Sequence, residues 1–260
     1  MASKRMKRSV GMKRLLMCGF IFLILCALLM VKCSHTNEEK KEQKKHYEEM
    51  EKSKREWKKG DRYESFKQLI RYERDGYEIK FHEIGGSDLL VFSPHGGEIE
   101  RGTSEIVEAF QQRYSTYLFE GTKKDNNRDL HITSTKFDEP ILVQMIKTYP
   151  FSISIHGYKS NRRHTLVGGT NRQMARAVVR ELKESGFSAE LVKAGERLSG
   201  TDPKNINNKN ASGESVQLEI STAQRKAFFD NFDTRKGKKK AFRRYISSIK
   251  EVLREFDPSS

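Results

Sequence analysis

Apolar and polar residues along the chain fall into segments of different period. From Leu15 to Val31 the sequence is an unbroken apolar run, whereas residues 38–59 are almost wholly Glu, Lys, Arg and Gln, with Tyr47, Met50 and Trp57 the only large apolar members. From Tyr77 onward the pattern alternates. Tyr77-Glu78-Ile79-Lys80-Phe81 has the two-residue period of a strand. Asp88 to Ser93, bounded by Gly85-Gly86 and Pro94, is a short apolar run of the kind that forms a buried strand. Phe151 to Ile155 predicts a second central strand, and Ser188–Val192 and Ser215–Ser221 predict two more. Helical spacing marks Thr103–Arg113, with Thr103 as the cap, and Asn171–Ser185, capped by Asn171 and closed by Gly186. A last amphipathic helix carries Phe242, Tyr245, Ile246, Ile249, Val252, Leu253 and Phe256. Alternating strands and helices predict an α/β domain with an open mixed, largely parallel sheet flanked by helices.

The N-terminal pattern changes what the charge means. The net charge is +15, but residues 1–33 carry +7 of it and residues 38–60 carry +2, leaving +6 for residues 61–260. Lys4, Arg5, Lys7, Arg8, Lys13 and Arg14 precede the apolar run, which as a helix would span about 26 Å. Basic residues before such a run stay cytoplasmic, so the expected anchor at residues 15–31 places the rest of the chain outside the cell. Cys33 leaves a lipoprotein alternative open, although Lys32 before it fits poorly. A cleaved, secreted form is the other alternative. Glu48/Lys52 and Glu51/Arg55 support an exposed helix. The expected organisation is therefore an anchor at 1–33, a charged, partly helical stalk at 34–70 and a globular domain at 71–260. Cys18, Cys26 and Cys33 are the three cysteines, so the domain has neither a disulfide nor a four-cysteine zinc site. A domain of +6 facing outward with no aromatic-basic platform argues against nucleic acid, while a mildly basic surface suits an anionic polymer.

The candidate chemistry lies at two strand ends. Phe92-Ser93-Pro94-His95-Gly96-Gly97 and Ser154-Ile155-His156-Gly157 each finish a predicted strand with histidine and glycine. In open α/β sheets ligands gather at such carboxyl ends. Glu98 and Glu100 follow the first histidine, and imidazole with carboxylate is a donor set for zinc that leaves a position open for water. In Val216-Gln217-Leu218-Glu219-Ile220-Ser221 the apolar residues alternate onto one face and Glu219 onto the other, so a general base and a solvent-facing edge glutamate are both open readings.

Four stretches, taken in order, carry a resemblance. They are His95-Gly96-Gly97-Glu98-Ile99-Glu100 through Gly102-Thr103-Ser104-Glu105, Leu130-His131-Ile132-Thr133-Ser134, Ser154-Ile155-His156-Gly157 and Val216 to Ser221, with Gly168-Gly169 between the last two. Together they resemble the motifs of the bacterial and phage poly-γ-glutamate hydrolase family. That resemblance implies a zinc-carboxypeptidase-like fold, one zinc ion per chain held by His95, Glu100 and His156, and Glu219 as the catalytic glutamate. It also implies cleavage of γ-glutamyl amide bonds in poly-γ-glutamate. His131 and Glu105 are candidates to orient a zinc-bound histidine, or simply hydrogen-bonded core residues. Arg162, Arg163, Arg172 and Arg225 are candidates to hold substrate carboxylates, because guanidinium meets a carboxylate bidentately. Lys209 stands where the family pattern suggests arginine, and Asn171 where aspartate is common. The competing readings are a zinc amidase acting on cell-wall peptides and a non-catalytic surface module that binds polyanions.

Overall fold

The computed structural model describes residues 60–256 and the isolated positions 37, 38, 40, 41 and 44. The expected membrane anchor and most of the expected stalk lie outside the described residues. By its internal contacts the chain divides between Gly60 and Asp61. Residues 61–70 therefore belong with the folded unit and not with the charged segment before it. The reason is apolar: Tyr63, Phe66 and Leu69 are buried in a core, the last two on helix α1 (Phe66–Tyr72).

Seven strands form one mixed sheet: β1 (Tyr77–His82), β2 (Leu89–Gly97), β3 (Ser115–Gly121), β4 (Phe151–Tyr158), β5 (Thr165–Gly168), β6 (Ala189–Leu191) and β7 (Glu214–Ser221). Their order is β1-β3-β2-β4-β7-β5-β6. The pairs β3/β2, β2/β4, β4/β7 and β5/β6 are parallel, whereas β1/β3 and β7/β5 are antiparallel. The expected α/β class and largely parallel, mixed sheet are thus observed. A separate hairpin of β8 (Phe229–Asn231) and β9 (Lys236–Lys238) follows.

The alternation of side chains along each strand decides what each face of the sheet meets. Leu89, Val91, Ile153, Ile155, Val216, Leu218 and Ile220 join one core with helices α2 (Thr103–Glu108), α4 (Arg172–Glu184) and α6 (Lys240–Phe256). On the opposite face Leu90, Phe92, Tyr117 and Phe119 pack beneath α1 and α3 (Pro140–Met145). Under β4 and β7 that second face turns polar: Ser152, Ser154, His156, Ser215, Gln217 and Glu219 are all buried there.

Most predicted elements lie within a few residues of their expected bounds. Helix α4 is capped as expected, Asn171 Oδ1 accepting from the Met174 amide at 2.9 Å. Helix α2 differs, ending at Glu108 and not Arg113. Thr103 does not cap it. Gly102 holds the cap position with φ 93°, and the Thr103 hydroxyl donates backwards to the Glu100 carbonyl at 2.9 Å.

Candidate metal centre

Strands β2 and β4 are parallel neighbours, so their carboxyl ends bring His95 and His156 side by side. Gly97, with φ 62°, then turns the chain so that Glu100 folds back, its amide donating to the His95 carbonyl at 3.0 Å. The Glu100 carboxylate is held by the Gly157 amide, which donates to Oε2 at 2.7 Å. Glycine suits that position because a Cβ there would overlap the buried Arg225 guanidinium.

Three donor atoms converge. His95 Nδ1 and His156 Nδ1 are 3.1 Å apart, and Glu100 Oε2 is 3.5 Å from the first and 3.8 Å from the second. All three side chains are buried. His95 Nε2 lies 2.8 Å from the Ile132 carbonyl, which can only accept, so the proton sits on Nε2 and Nδ1 presents its lone pair. The cluster is thus rich in acceptors and poor in donors. His156 Nδ1 is the ring nitrogen that faces the other two donors, and its Nε2 is buried without a hydrogen-bond partner among the described residues. Two nitrogens bound to one zinc at about 2.0–2.1 Å in tetrahedral geometry would lie roughly 3.4 Å apart. The residues present fit a divalent cation of zinc's kind.

Electrostatics agree with this arrangement. Burial pushes the Glu100 carboxyl up, but the surrounding imidazoles of His95, His156 and His131 favour its ionised form, outweigh burial and hold it down to about 2. Burial keeps His156 neutral down to about 3 and His131 down to about 4. Neutral imidazoles and an ionised carboxylate are the protonation states that metal ligation requires.

Glu219 sits beside the cluster, in register with His156 across β4 and β7. Strand β7 is interior, between β4 and β5, so the edge-strand reading of this glutamate does not hold. Burial, together with the Glu100 charge, raises its pKa well above the ordinary value, and Arg225 opposes the shift. Gln217, two residues back on the same face, donates from Nε2 to Glu219 Oε1 at 3.0 Å, and Asn205 Nδ2 in turn donates to Gln217 Oε1 at 3.0 Å. Neither Gln217 nor Asn205 takes a role from the sequence alone, although the two-residue offset of Gln217 from Glu219 is a usable signal.

His131 joins the cluster. Its ring stacks on His95 with centroids 3.9 Å apart, and its Nε2 is 3.8 Å from Glu100 Oε1. Arg225, on α5 (Thr222–Lys226), is buried. Its Nε donates to the Ile220 carbonyl at 3.0 Å and its Nη1 to the Arg101 carbonyl, so much of its donor capacity is spent on backbone. Glu105 pairs elsewhere, accepting from Arg235 Nε at 3.2 Å. Arg172 donates to the Val192 carbonyl at 2.7 Å, while Arg162, Arg163 and Lys209 are exposed. Asp61 escaped the sequence reading altogether: its Oδ1 lies 2.5 Å from His131 Nδ1.

Comparison with known proteins gives a consistent result. A family model described as poly-gamma-glutamate hydrolase matches residues 63–248. YmaC of Bacillus subtilis (strain 168) is 48% identical over 197 residues, 74% of this chain and 84% of YmaC. The SPbeta prophage-derived YoqZ of the same organism is 43% identical over 199 residues, 75% of this chain and 72% of YoqZ. Among solved structures, the zinc-free apo form of YNDL superposes with a TM-score of 0.73 at 38% identity, covering 75% of this chain and 98% of that one. A bacteriophage poly-gamma-glutamate hydrolase superposes with a TM-score of 0.72, also at 38% identity and the same coverage. The matched span contains His95, Glu100, His156 and Glu219, and the chain belongs to the poly-gamma-glutamate hydrolase family of metal-dependent hydrolases.

Proposed function

We propose that this protein is a zinc-dependent hydrolase that cleaves the γ-glutamyl amide bonds of poly-γ-glutamate. The observation that carries the reading is the convergence of His95 Nδ1, His156 Nδ1 and Glu100 Oε2, with Glu219 in register beside them. Zinc is favoured among cations by the two imidazoles and one carboxylate, and by the zinc-free apo form described for the similar YNDL. The substrate class is favoured by the family and by the phage relative.

In this mechanism His95, Glu100 and His156 would hold the ion, which when bound polarises the amide carbonyl and acidifies water towards a pKa of about 7. Glu219 accepts the proton of the attacking water and hands it to the departing amine. Gln217 keeps the Glu219 carboxylate in one orientation throughout. Arg225 lowers the cost of negative charge nearby. The exposed Arg163 and Lys209, with Arg172, are the proposed partners of the polymer's free carboxylates. We further propose that residues 15–31 anchor the chain with this domain outside the cell; none of the described helices is long and apolar enough to cross a membrane, and the proposed anchor lies outside them.

The test is metal content and polymer length. One zinc per chain and chelator-sensitive shortening of poly-γ-glutamate are expected. Zinc with no shortening would move the substrate to cell-wall peptides, and failure to bind metal when zinc is supplied would overturn the hydrolase.

A further inference from the structure

We propose that Asp61 is a positioning residue of the metal centre: it locks His131 in one tautomer and aims the remaining ring lone pair at Glu100 and the metal position. This rests on the hydrolase reading and adds to it a residue that precedes the span matched by the family, which starts at residue 63.

The Asp61 carboxylate straddles three consecutive residues. Oδ1 meets His131 Nδ1 at 2.5 Å, and Oδ2 accepts from the Thr133 amide at 2.6 Å. Between them, the Ile132 carbonyl is the acceptor that sets the proton of His95 on Nε2. One carboxylate therefore braces both the ring of His131 and the peptide that orients a metal ligand. It is itself firmly placed. Arg62, the next residue, pairs with Asp129 and lies 3.5 Å from Glu73, and the Tyr63 hydroxyl donates to Glu73 at 2.9 Å.

The tautomer follows from the partners. A carboxylate offers only lone pairs, so the neutral ring must carry its one proton on Nδ1. Nε2 is then an acceptor, 3.8 Å from Glu100 Oε1, which is also an acceptor. Two acceptors at that distance repel each other, and a donor or a cation beside them removes the repulsion. The ring is thus an acceptor on the rim of the centre, available to hydrogen-bond a water there. A His131 that only filled core space would need neither Asp61 nor this orientation.

Asp61→Asn is the decisive variant. Asparagine keeps the size but offers one acceptor for two donors, so its amide must face either Thr133 N–H or the His131 ring. The full chain, labelled with 15N-histidine and assigned with His131→Gln, reports the tautomer by NMR with and without zinc, independently of any substrate. The wild type is expected to show Nδ1 protonated and Nε2 bare. In Asp61→Asn this pattern shifts or mixes, kcat falls about 10- to 100-fold, and KM and bound zinc stay unchanged. Asp61→Glu, which keeps two acceptors, recovers part of the rate. The inference is overturned by an unchanged tautomer, by kcat within about twofold of wild type, or by a rate loss that merely tracks lost zinc. A wild type that leaves the polymer intact would instead sink the hydrolase reading, and the NMR result alone would then decide the role of Asp61.

Discussion

The two faces of the sheet are made by alternate residues of the same strands, yet they solve different problems. Along β7, Val216, Leu218 and Ile220 enter a core of hydrocarbon shared with α4 and α6, while Ser215, Gln217 and Glu219 enter a buried polar layer. The apolar face gains roughly 1.5–3 kcal/mol for each large side chain buried. The polar layer gains little from burial, and each of its groups costs free energy unless it is partnered. The structure meets part of that cost with hydrogen-bonded chains, Asn205 to Gln217 to Glu219 and Asn210 to Ser152 to Asn207, while Ser154 Oγ and His156 Nε2 are left without partners among the described residues. One face stabilises the fold and the other spends part of that stability on holding charged groups out of water. Leu218 and Glu219, adjacent in sequence, separate the two roles.

The largest expected effects test that separation directly. Glu219→Gln should lower the hydrolysis rate about 10²- to 10⁴-fold while bound metal and melting temperature stay near wild type. Leu218→Ala should do the reverse, costing about 2–5 kcal/mol in denaturant unfolding with little change in rate per folded molecule. If Leu218→Ala abolished catalysis in folded protein, the division between the faces would be wrong. Gln217→Leu should come next, since a hydrogen bond to a charged group contributes ~1.5–3 kcal/mol and Asn205 also loses its partner. Its rate should drop more than its affinity for the polymer.

Acid sensitivity sharpens the contrast further, because the titrating groups lie on the polar face. In the metal-free protein His131 and His156 stay neutral down to about 4 and about 3, while an unfolded histidine protonates near 6.5. Between these values the unfolded chain binds more protons, so stability should fall as pH drops from about 6.5 towards about 4. Glu100, held down to about 2, adds to the loss as pH falls from the unfolded glutamate value of about 4.3 towards about 2. Glu219, with its pKa raised, acts oppositely and weakens the fold as pH rises above the unfolded carboxyl value. Urea unfolding of chelated protein across this range measures the net slope, and His131→Gln should flatten its upper part. The smallest effect belongs to Lys209→Ala, which is exposed and should alter stability by no more than about 0.5 kcal/mol. A raised KM for the polymer without a change in kcat would support its proposed contact with substrate carboxylates.

Much of this division was legible in the chain. The two-residue period of Val216 to Ser221 places Glu219 opposite the apolar side chains, and the paired His-Gly endings mark two strand ends. Other elements were not. Strand β3 is buried along its whole length, and Ser115-Thr116-Tyr117-Leu118-Phe119 sets one polar and at least one apolar residue on each face, so no alternation marks it. Strand β5 spans only Thr165–Gly168, too short for a period to show. Arg225, one of the candidates to hold substrate carboxylates, turns its guanidinium towards the Ile220 and Arg101 carbonyls, contacts that no local pattern announces.

Sequence by itself determined the α/β class, the main strands and helices, and the histidines and glutamates available for chemistry, because backbone propensity and side-chain period are set by residues within one or two turns of each other. Tertiary structure decided which of those groups meet. The order β2-β4-β7 sets His95, His156 and Glu219 on adjacent strands, and Asp61 reaches His131 across 70 residues of chain. Contacts of that range form only when burial of the two cores outweighs the entropy of closing the chain, so they are properties of the whole fold and are written in no single segment.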